Sequence, residues 1–345
     1  MYPCFTFINT GDIIDAVKKA KGDKKTMPMI DMPLEKLKEY QGLNPRPLDF
    51  DEFWDKSLEE LHSIDPAPVF KPASFKAKNA EAFELTFTST KGARIFAKFM
   101  KPKNIEGKVP AVLFFHGLSG ASSNWISLLP YAEEGFVVAF MDTRGQAGRS
   151  EDVGGVPGTT YTTPFMRGFD GEPSDLHCRD LYLDTAQLAR VVMELDYVDE
   201  KRVGATGGSQ GGALTLACAS LVPELKLAAP VYPYLCDYKR IWEMDLDKGA
   251  YEGIRYYLRA YDPRHEHIDE FFTKLGYIDL QFLAPRIKAT VMMSTGLMDT
   301  CCPPSTQFAA YNKITSEKSV LVYPDFGHED LRGNADLIFE FFSQL

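Results

Sequence analysis

The sequence has no uninterrupted apolar run approaching the ~18–20 residues of a membrane-spanning helix, so no such helix is expected. It also has no long uninterrupted run of basic residues. Lysine and arginine number 38 against 48 aspartates and glutamates, a formal net charge of −10. Such a surface repels a phosphate backbone, which argues against a nucleic-acid partner. Cysteine is scarce and scattered: Cys4, Cys178, Cys218, Cys236, Cys301 and Cys302. No CxxC pair and no ligand-like spacing with histidine occurs, so neither a disulfide framework nor a local metal knuckle is expected. Free thiols suit a reducing compartment. The adjacent Cys301 and Cys302 are awkwardly placed to bridge each other and read as packing residues beside a site. The opening MYPCFTFINTGDIIDAVKKAKGDKK lacks the basic start and long apolar stretch of a secretion signal, so the expected location is the cytoplasm. HExxH, the P-loop pattern and a GxGxxG after a strand are all missing, so no metal and no cofactor are expected.

What is present is an ordinary globular composition, 45% hydrophobic and 25% charged over 345 residues, enough chain to bury a large core. Residues 1–28 read as an N-terminal appendage, and 29–345 as a single domain. A helix is expected over Asp49–Leu61. Phe50, Phe53, Trp54, Leu58 and Leu61 share one of its faces, and Asp49 with Glu52 resembles a capping box. Phe83–Thr88 and Ile95–Met100 suggest an antiparallel hairpin. Short apolar runs then recur at Ala111–Phe115, Phe136–Met141, Val203–Thr206, Leu227–Val231, Thr290–Ser294 and Val320–Tyr323. They lack alternation, as strands buried on both faces do. Helical stretches such as Asp180–Leu195 and Gly211–Leu221 lie between them, which predicts an α/β fold with a mostly parallel twisted sheet flanked by helices. Residues 237–286 exceed a simple crossover and are rich in aromatics (Trp242, Tyr251, Tyr256, Tyr257, Tyr261, Phe271, Phe272, Tyr277). A helical insertion forming a cap or an interface is expected there.

The chemical signal is Gly207-Gly208-Ser209-Gln210-Gly211-Gly212, set between the run Val203–Thr206 and the helical ALTLACASL. G-x-S-x-G between strand and helix is the nucleophile elbow, in which a strained turn presents the serine and only small neighbours fit. A serine hydroxyl needs a base to take its proton. On such a sheet the acid and the histidine follow in that order, after later strands. Asp299 follows ATVMMS and His328 follows VLVYP, as required. Asp237, Asp325 and Asp330 are rival acids. His62, His177, His265 and His267 sit away from strand ends and read as structural. His116-Gly117-Leu118, directly after Ala111–Phe115, is the expected oxyanion loop. The backbone N–H groups of Leu118 and Gln210 are its candidate donors, each worth ~10²–10³ in rate.

Taken together, these motifs resemble the acetyl xylan esterases and cephalosporin C deacetylases, family seven of the carbohydrate esterases, within the α/β-hydrolase superfamily. The likeness runs from about Met29 to the C-terminus. It includes DMPLEKLKEYQG, His116-Gly117, Arg144-Gly145-Gln146, the Gly-Gly-Ser-Gln-Gly-Gly run, Gly296-Leu297-Met298-Asp299 with Cys302-Pro303-Pro304-Ser305-Thr306, and His328-Glu329. The resemblance implies a triad of Ser209, Asp299 and His328. It implies deacetylation of small carbohydrates such as xylo-oligosaccharides, and of cephalosporin C. It also implies an intracellular homo-oligomer, often a hexamer, with the aromatic insertion at the contacts. Pro233 would line the acyl pocket, and Arg144 would hold loops near the nucleophile. One departure stands out: the family usually carries Tyr after His-Gly, where this chain has Leu118, which bears on sugar preference rather than catalysis. A serine peptidase, a dienelactone-type hydrolase or a non-catalytic scaffold are the alternative readings.

Overall fold

A computed structural model describes residues 30–154 and 163–345. The proposed appendage over 1–28, and Cys4 with it, therefore lies outside the described residues. Strands β1 (Val69–Pro72), β2 (Ala80–Thr88) and β3 (Arg94–Pro102) pair antiparallel. Strands β4 (Val109–Phe115), β5 (Val137–Met141), β6 (Val198–Gly208), β7 (Leu227–Val231), β8 (Thr290–Gly296) and β9 (Lys318–Tyr323) pair parallel with one another. The nine strands form one sheet in the order β1-β2-β3-β5-β4-β6-β7-β8-β9. This is the expected mostly parallel sheet with an antiparallel hairpin leading in.

The missing alternation in the sequence has its cause here. Every residue of β7 is buried, as are Ala111, Val112 and Leu113 of β4. One face of the sheet packs on α4 (His177–Met193) and α5 (Gln210–Leu221), all of whose twelve residues are buried. The other face is covered by α3 (Leu129–Glu133) and α11 (Asn334–Phe342), through residues such as Ala132, Ile338, Phe341 and Phe342. From β4 the chain moves to β5 on one side and then to β6 on the other. A crevice opens at the carboxyl ends of strands where the order reverses in this way.

The first long helix, α2, spans Phe50–His62 and buries Phe50, Trp54 and Leu61, as the periodicity requires. The capping-box expectation fails. The Asp49 side chain caps no N–H of α2; its carboxylate instead accepts the Tyr277 hydroxyl, and the neighbouring Trp54 indole donates to the Tyr277 carbonyl at 2.9 Å. A tertiary partner has displaced the local one. Strand β1 was not foreseen: VFKP is short, mostly exposed and lies on the sheet edge, where Pro72 is tolerated.

The segment before α2 braces the site side of the molecule. Asp31 accepts the Ser305 N–H and an Arg240 Nη2–H, both at 2.7 Å. It thereby ties α10 (Pro304–Tyr311) to α6 (Tyr238–Glu243) of the insertion. Leu37 of α1 (Leu34–Leu37) packs with Leu297 and Phe308. The long connection after β7 is helical, holding α6, α7 (Gly253–Tyr261), α8 (Ile268–Gly276) and α9 (Leu280–Leu283). Among the described residues no helix is long and apolar enough to cross a membrane.

Candidate active site

Ser209 follows the last residue of β6 and precedes the first of α5. Its φ of 58° and ψ of −118° form a turn that a non-glycine residue adopts only under constraint. The constraint is a set of hydrogen bonds. The Ser209 N–H donates to the Val231 carbonyl at 3.0 Å, and its own carbonyl accepts from Ala213 and Tyr234 N–H at 3.0 and 3.1 Å. Glycine at 207 and 211 is a steric need: a Cβ would come 2.4 and 2.2 Å from the Phe115 carbonyl oxygen. The elbow therefore presses against the end of β4, and α5 begins just behind the serine with its positive dipole end.

Asp299 lies beyond β8 and His328 beyond β9. The structure brings them to Ser209, 90 and 119 residues apart in sequence, in one hydrogen-bonded chain. His328 Nδ1 is 2.8 Å from Asp299 Oδ2, and His328 Nε2 is 2.9 Å from Ser209 Oγ. With a carboxylate as its acceptor, Nδ1 carries the proton, so Nε2 offers its lone pair to the serine hydroxyl. Asp299 is fully buried, and its other oxygen, Oδ1, accepts the N–H groups of Cys301 and Cys302, each at 2.8 Å. Those two bonds fix the plane of the carboxylate. Burial alone would lower the His328 pKa, but the hydrogen bond and charge of Asp299 outweigh it and hold it above the ordinary 6.5. The Tyr232 ring packs against the imidazole, with centroids 4.7 Å apart.

Of the rival acids, Asp237 is engaged elsewhere. Asp237 accepts the Tyr40 hydroxyl at 2.7 Å and the Leu43 and Asn44 N–H groups at 3.0 and 2.9 Å. Asp325 and Asp330 have no open imidazole nitrogen to meet, since both nitrogens of His328 are taken. His177 is buried, which pushes its pKa down to about 3 and keeps it neutral in the core.

Leu118 sits half-buried after Gly117, and a Cβ on Gly117 would lie 3.8 Å from the Gly208 carbonyl, so the loop runs alongside the elbow. The N–H groups of Leu118 and Gln210 meet no acceptor among the described residues. His116 holds this loop. Its Nε2 accepts the Thr143 N–H at 2.9 Å, which places the proton on Nδ1, 2.7 Å from the Gly117 carbonyl. Burial lowers its pKa, consistent with a neutral brace rather than a second base. Pro233 lies in the turn after β7, where its Cα backs Gly212 of the elbow. Arg144 is buried and pairs with Asp184 of α4 through two bonds, Nε–Oδ2 at 2.7 Å and Nη2–Oδ1 at 2.5 Å, which anchors the loop after β5.

Two features escaped the sequence reading. Gln146 Oε1 accepts the Ser119 N–H at 2.8 Å and Gln210 Nε2 at 3.1 Å, while its Nε2 donates to Gln210 Oε1 at 2.7 Å. It thus ties the loop after β4 to the residue after the serine. The Arg-Gly-Gln run was visible, but nothing in it said which loops the glutamine would join. The second is that Cys301, Cys302 and His328 place their ligating atoms within 4.8 Å of one another, although sequence spacing offered no such cluster. The neighbouring Cys302 thiol lowers the Cys301 pKa to about 7, whereas burial raises that of Cys302.

The family model for acetyl xylan esterase (AXE1) matches residues 27–345. Acetyl esterase Axe7A of Xylanibacter ruminicola is 27% identical over 285 residues, 81% of this chain and 62% of that protein, so the chain spans about three fifths of this curated relative. Among solved structures, acetyl xylan esterase 1 from Thermoanaerobacterium sp. JW/SL YS485 is 53% identical with a TM-score of 0.90, covering 91% of this chain and 99% of that one. An acetyl xylan esterase from Paenibacillus sp. R4 is 32% identical with a TM-score of 0.86 over the same shares.

Proposed function

This chain belongs to the acetyl xylan esterase family of the α/β-hydrolase fold, and on that premise we propose that it is a serine carboxylic ester hydrolase releasing acetate from small acetylated carbohydrates. The observation that carries the reading is the continuous hydrogen-bonded chain from Asp299 through His328 to Ser209, a serine that is only partly buried.

The chemistry follows from that arrangement. His328 Nε2 takes the hydroxyl proton as Ser209 Oγ attacks the acetyl carbonyl, and Asp299 stabilises the imidazolium that forms. The carbonyl oxygen becomes an oxyanion, facing the N–H groups of Leu118 and Gln210. The tetrahedral intermediate collapses, the sugar oxygen leaves with the proton from His328, and an acetyl-serine remains. Water enters, gives a proton to His328 and attacks the acyl carbon, releasing acetate and restoring the hydroxyl. Acylation and deacylation use the same groups, so no cofactor is required. We extend the reading to the acetyl ester of cephalosporin C, to an acyl pocket bordered by Pro233, to a cytoplasmic homo-oligomer, a hexamer by likeness, and to 29–345 as one catalytic domain. These rest on the family resemblance.

A panel of aryl acetates, butyrates and octanoates with acetylated xylo-oligosaccharides tests this. Acetates should turn over fastest, and a fluorophosphonate should label Ser209. A preference for the longest acyl chains, or an unlabelled serine, would overturn the proposal.

A further inference from the structure

We propose that Cys301, Cys302 and His328 form a binding site for a soft divalent cation of the zinc type, and that filling it switches the esterase off. The catalytic cycle uses neither thiol. Yet both sulfurs stand with an imidazole nitrogen in a cluster whose ligating atoms lie within 4.8 Å of one another. A tetrahedral zinc, with Zn–S of about 2.3 Å and Zn–N of about 2.0–2.1 Å, holds its ligands roughly 3.3–3.8 Å apart. Against the cluster's span of 4.8 Å, closing on an ion draws its ligating atoms together by at most about 1–1.5 Å.

The sulfurs do not depend on a floppy loop. The N–H groups of Cys301 and Cys302 both bond Asp299 Oδ1 at 2.8 Å, so the turn that bears them is fastened to the acid of the site. Cys302 is buried and Cys301 partly exposed, which leaves an approach from the Cys301 side. Two thiolates and an imidazole select zinc or cadmium over magnesium or calcium, which take oxygen ligands. Three protein ligands leave a fourth position open.

Binding and catalysis exclude each other by simple counting. Both imidazole nitrogens of His328 are occupied, one by Asp299 and the other by Ser209. An ion that takes Nε2 removes the base from the serine; one that takes Nδ1 displaces the orienting carboxylate and sends the ring proton to Nε2, which again leaves the serine without a base. The step balances without electron transfer: two S–H bonds break, two metal–sulfur bonds and one metal–nitrogen bond form, and two protons go to solvent.

The inhibition rests on the esterase reading, but the site itself does not, so two measurements on the full chain keep them apart. The first titrates Cd²⁺ into substrate-free protein and follows the ultraviolet thiolate-to-metal charge-transfer band. The second titrates Zn²⁺ into 4-nitrophenyl acetate hydrolysis, each protein normalised to its own metal-free rate. The wild type should show the band, lose its activity and regain it with EDTA, while Mg²⁺ does nothing. Cys301→Ser should lose most of the band and need at least about tenfold more Zn²⁺ for half-inhibition. Metal-free melting by circular dichroism checks that the variant is folded. No band in the wild type, a band without loss of turnover, or equal Zn²⁺ sensitivity in both proteins would overturn the proposal. If the protein proved to hydrolyse no ester, the band would still decide whether the site exists.

Discussion

Gly211 lies so close to Phe115 that a Cβ on the glycine would stand 2.2 Å from the Phe115 carbonyl oxygen. The first turn of α5 and the end of β4 are therefore locked backbone to backbone, which sets Ser209 beside the loop bearing Leu118. Gly211→Ala must push these segments apart. Overpacking of this kind costs about 1–3 kcal/mol, and a displacement near 1 Å at a reacting centre costs about 10²-fold in rate. A lower urea midpoint together with a fallen kcat is expected. A variant with wild-type values of both would show that the contact yields easily.

The pH profile should carry the mark of Asp299. As the proposed base, His328 would act only when neutral, and its pKa is held above 6.5, so kcat/KM should rise through an apparent pKa above that value. Asp299→Asn removes the influence that raises the pKa and leaves burial, which lowers it. The acid limb should then move to lower pH while the rate drops by about 10⁴-fold. Stability follows the same sign. A raised folded pKa contributes fully below the unfolded value and is lost as pH climbs through the folded one. The stability deficit of Asp299→Asn should accordingly be larger in mild acid than in alkali, as read by urea unfolding at several pH values.

Gln146 is a positioning residue whose effect should fall on kcat. Gln146→Ala frees the Ser119 N–H and the Gln210 amide, and kcat should drop by roughly 10–10²-fold with KM little changed. Gln146→Glu can still accept from both groups but cannot donate to Gln210 Oε1, so it should recover part of the loss. A change confined to melting temperature, with wild-type kcat, would reduce Gln146 to a structural role.

The Arg144–Asp184 pair is 1% and 0% exposed at its side chains. Asp184→Ala leaves a buried guanidinium without its bidentate partner and should cost about 3–5 kcal/mol, measured as a fall in urea midpoint. Replacing both, as Arg144→Met with Asp184→Leu, should recover most of that loss, because no unpaired charge remains. A double variant as unstable as the single one would mean that the pair also holds the loop by its shape.

Much of this architecture was legible beforehand. Each of the six parallel strands overlaps one of the apolar runs, and the central ones hold little else because they are buried on both faces, whereas β9 at the sheet edge is only partly buried and β6 extends through an exposed stretch before its run. The elbow was legible because a strained turn against the Phe115 carbonyl admits only glycine at 207 and 211. Strand β1 was not legible, as an edge strand of four largely exposed residues needs no apolar pattern. The capping box at Asp49 was misread because Tyr277, 228 residues away, outcompetes the local N–H.

By itself, then, the order of residues determined which segments become strands, which turn bears the serine, and which later strand ends bear an aspartate and a histidine. These follow from burial periodicity and backbone sterics, which act over a few residues. Only the tertiary structure decided that Asp237 is spent on Tyr40 and the 43–44 backbone while Asp299 meets His328. Only it decided that Gln146 spans two loops and that two thiols come to rest beside the imidazole. Such pairings depend on the distances set when β8 and β9 dock beside β7, and no local pattern encodes a distance between strands.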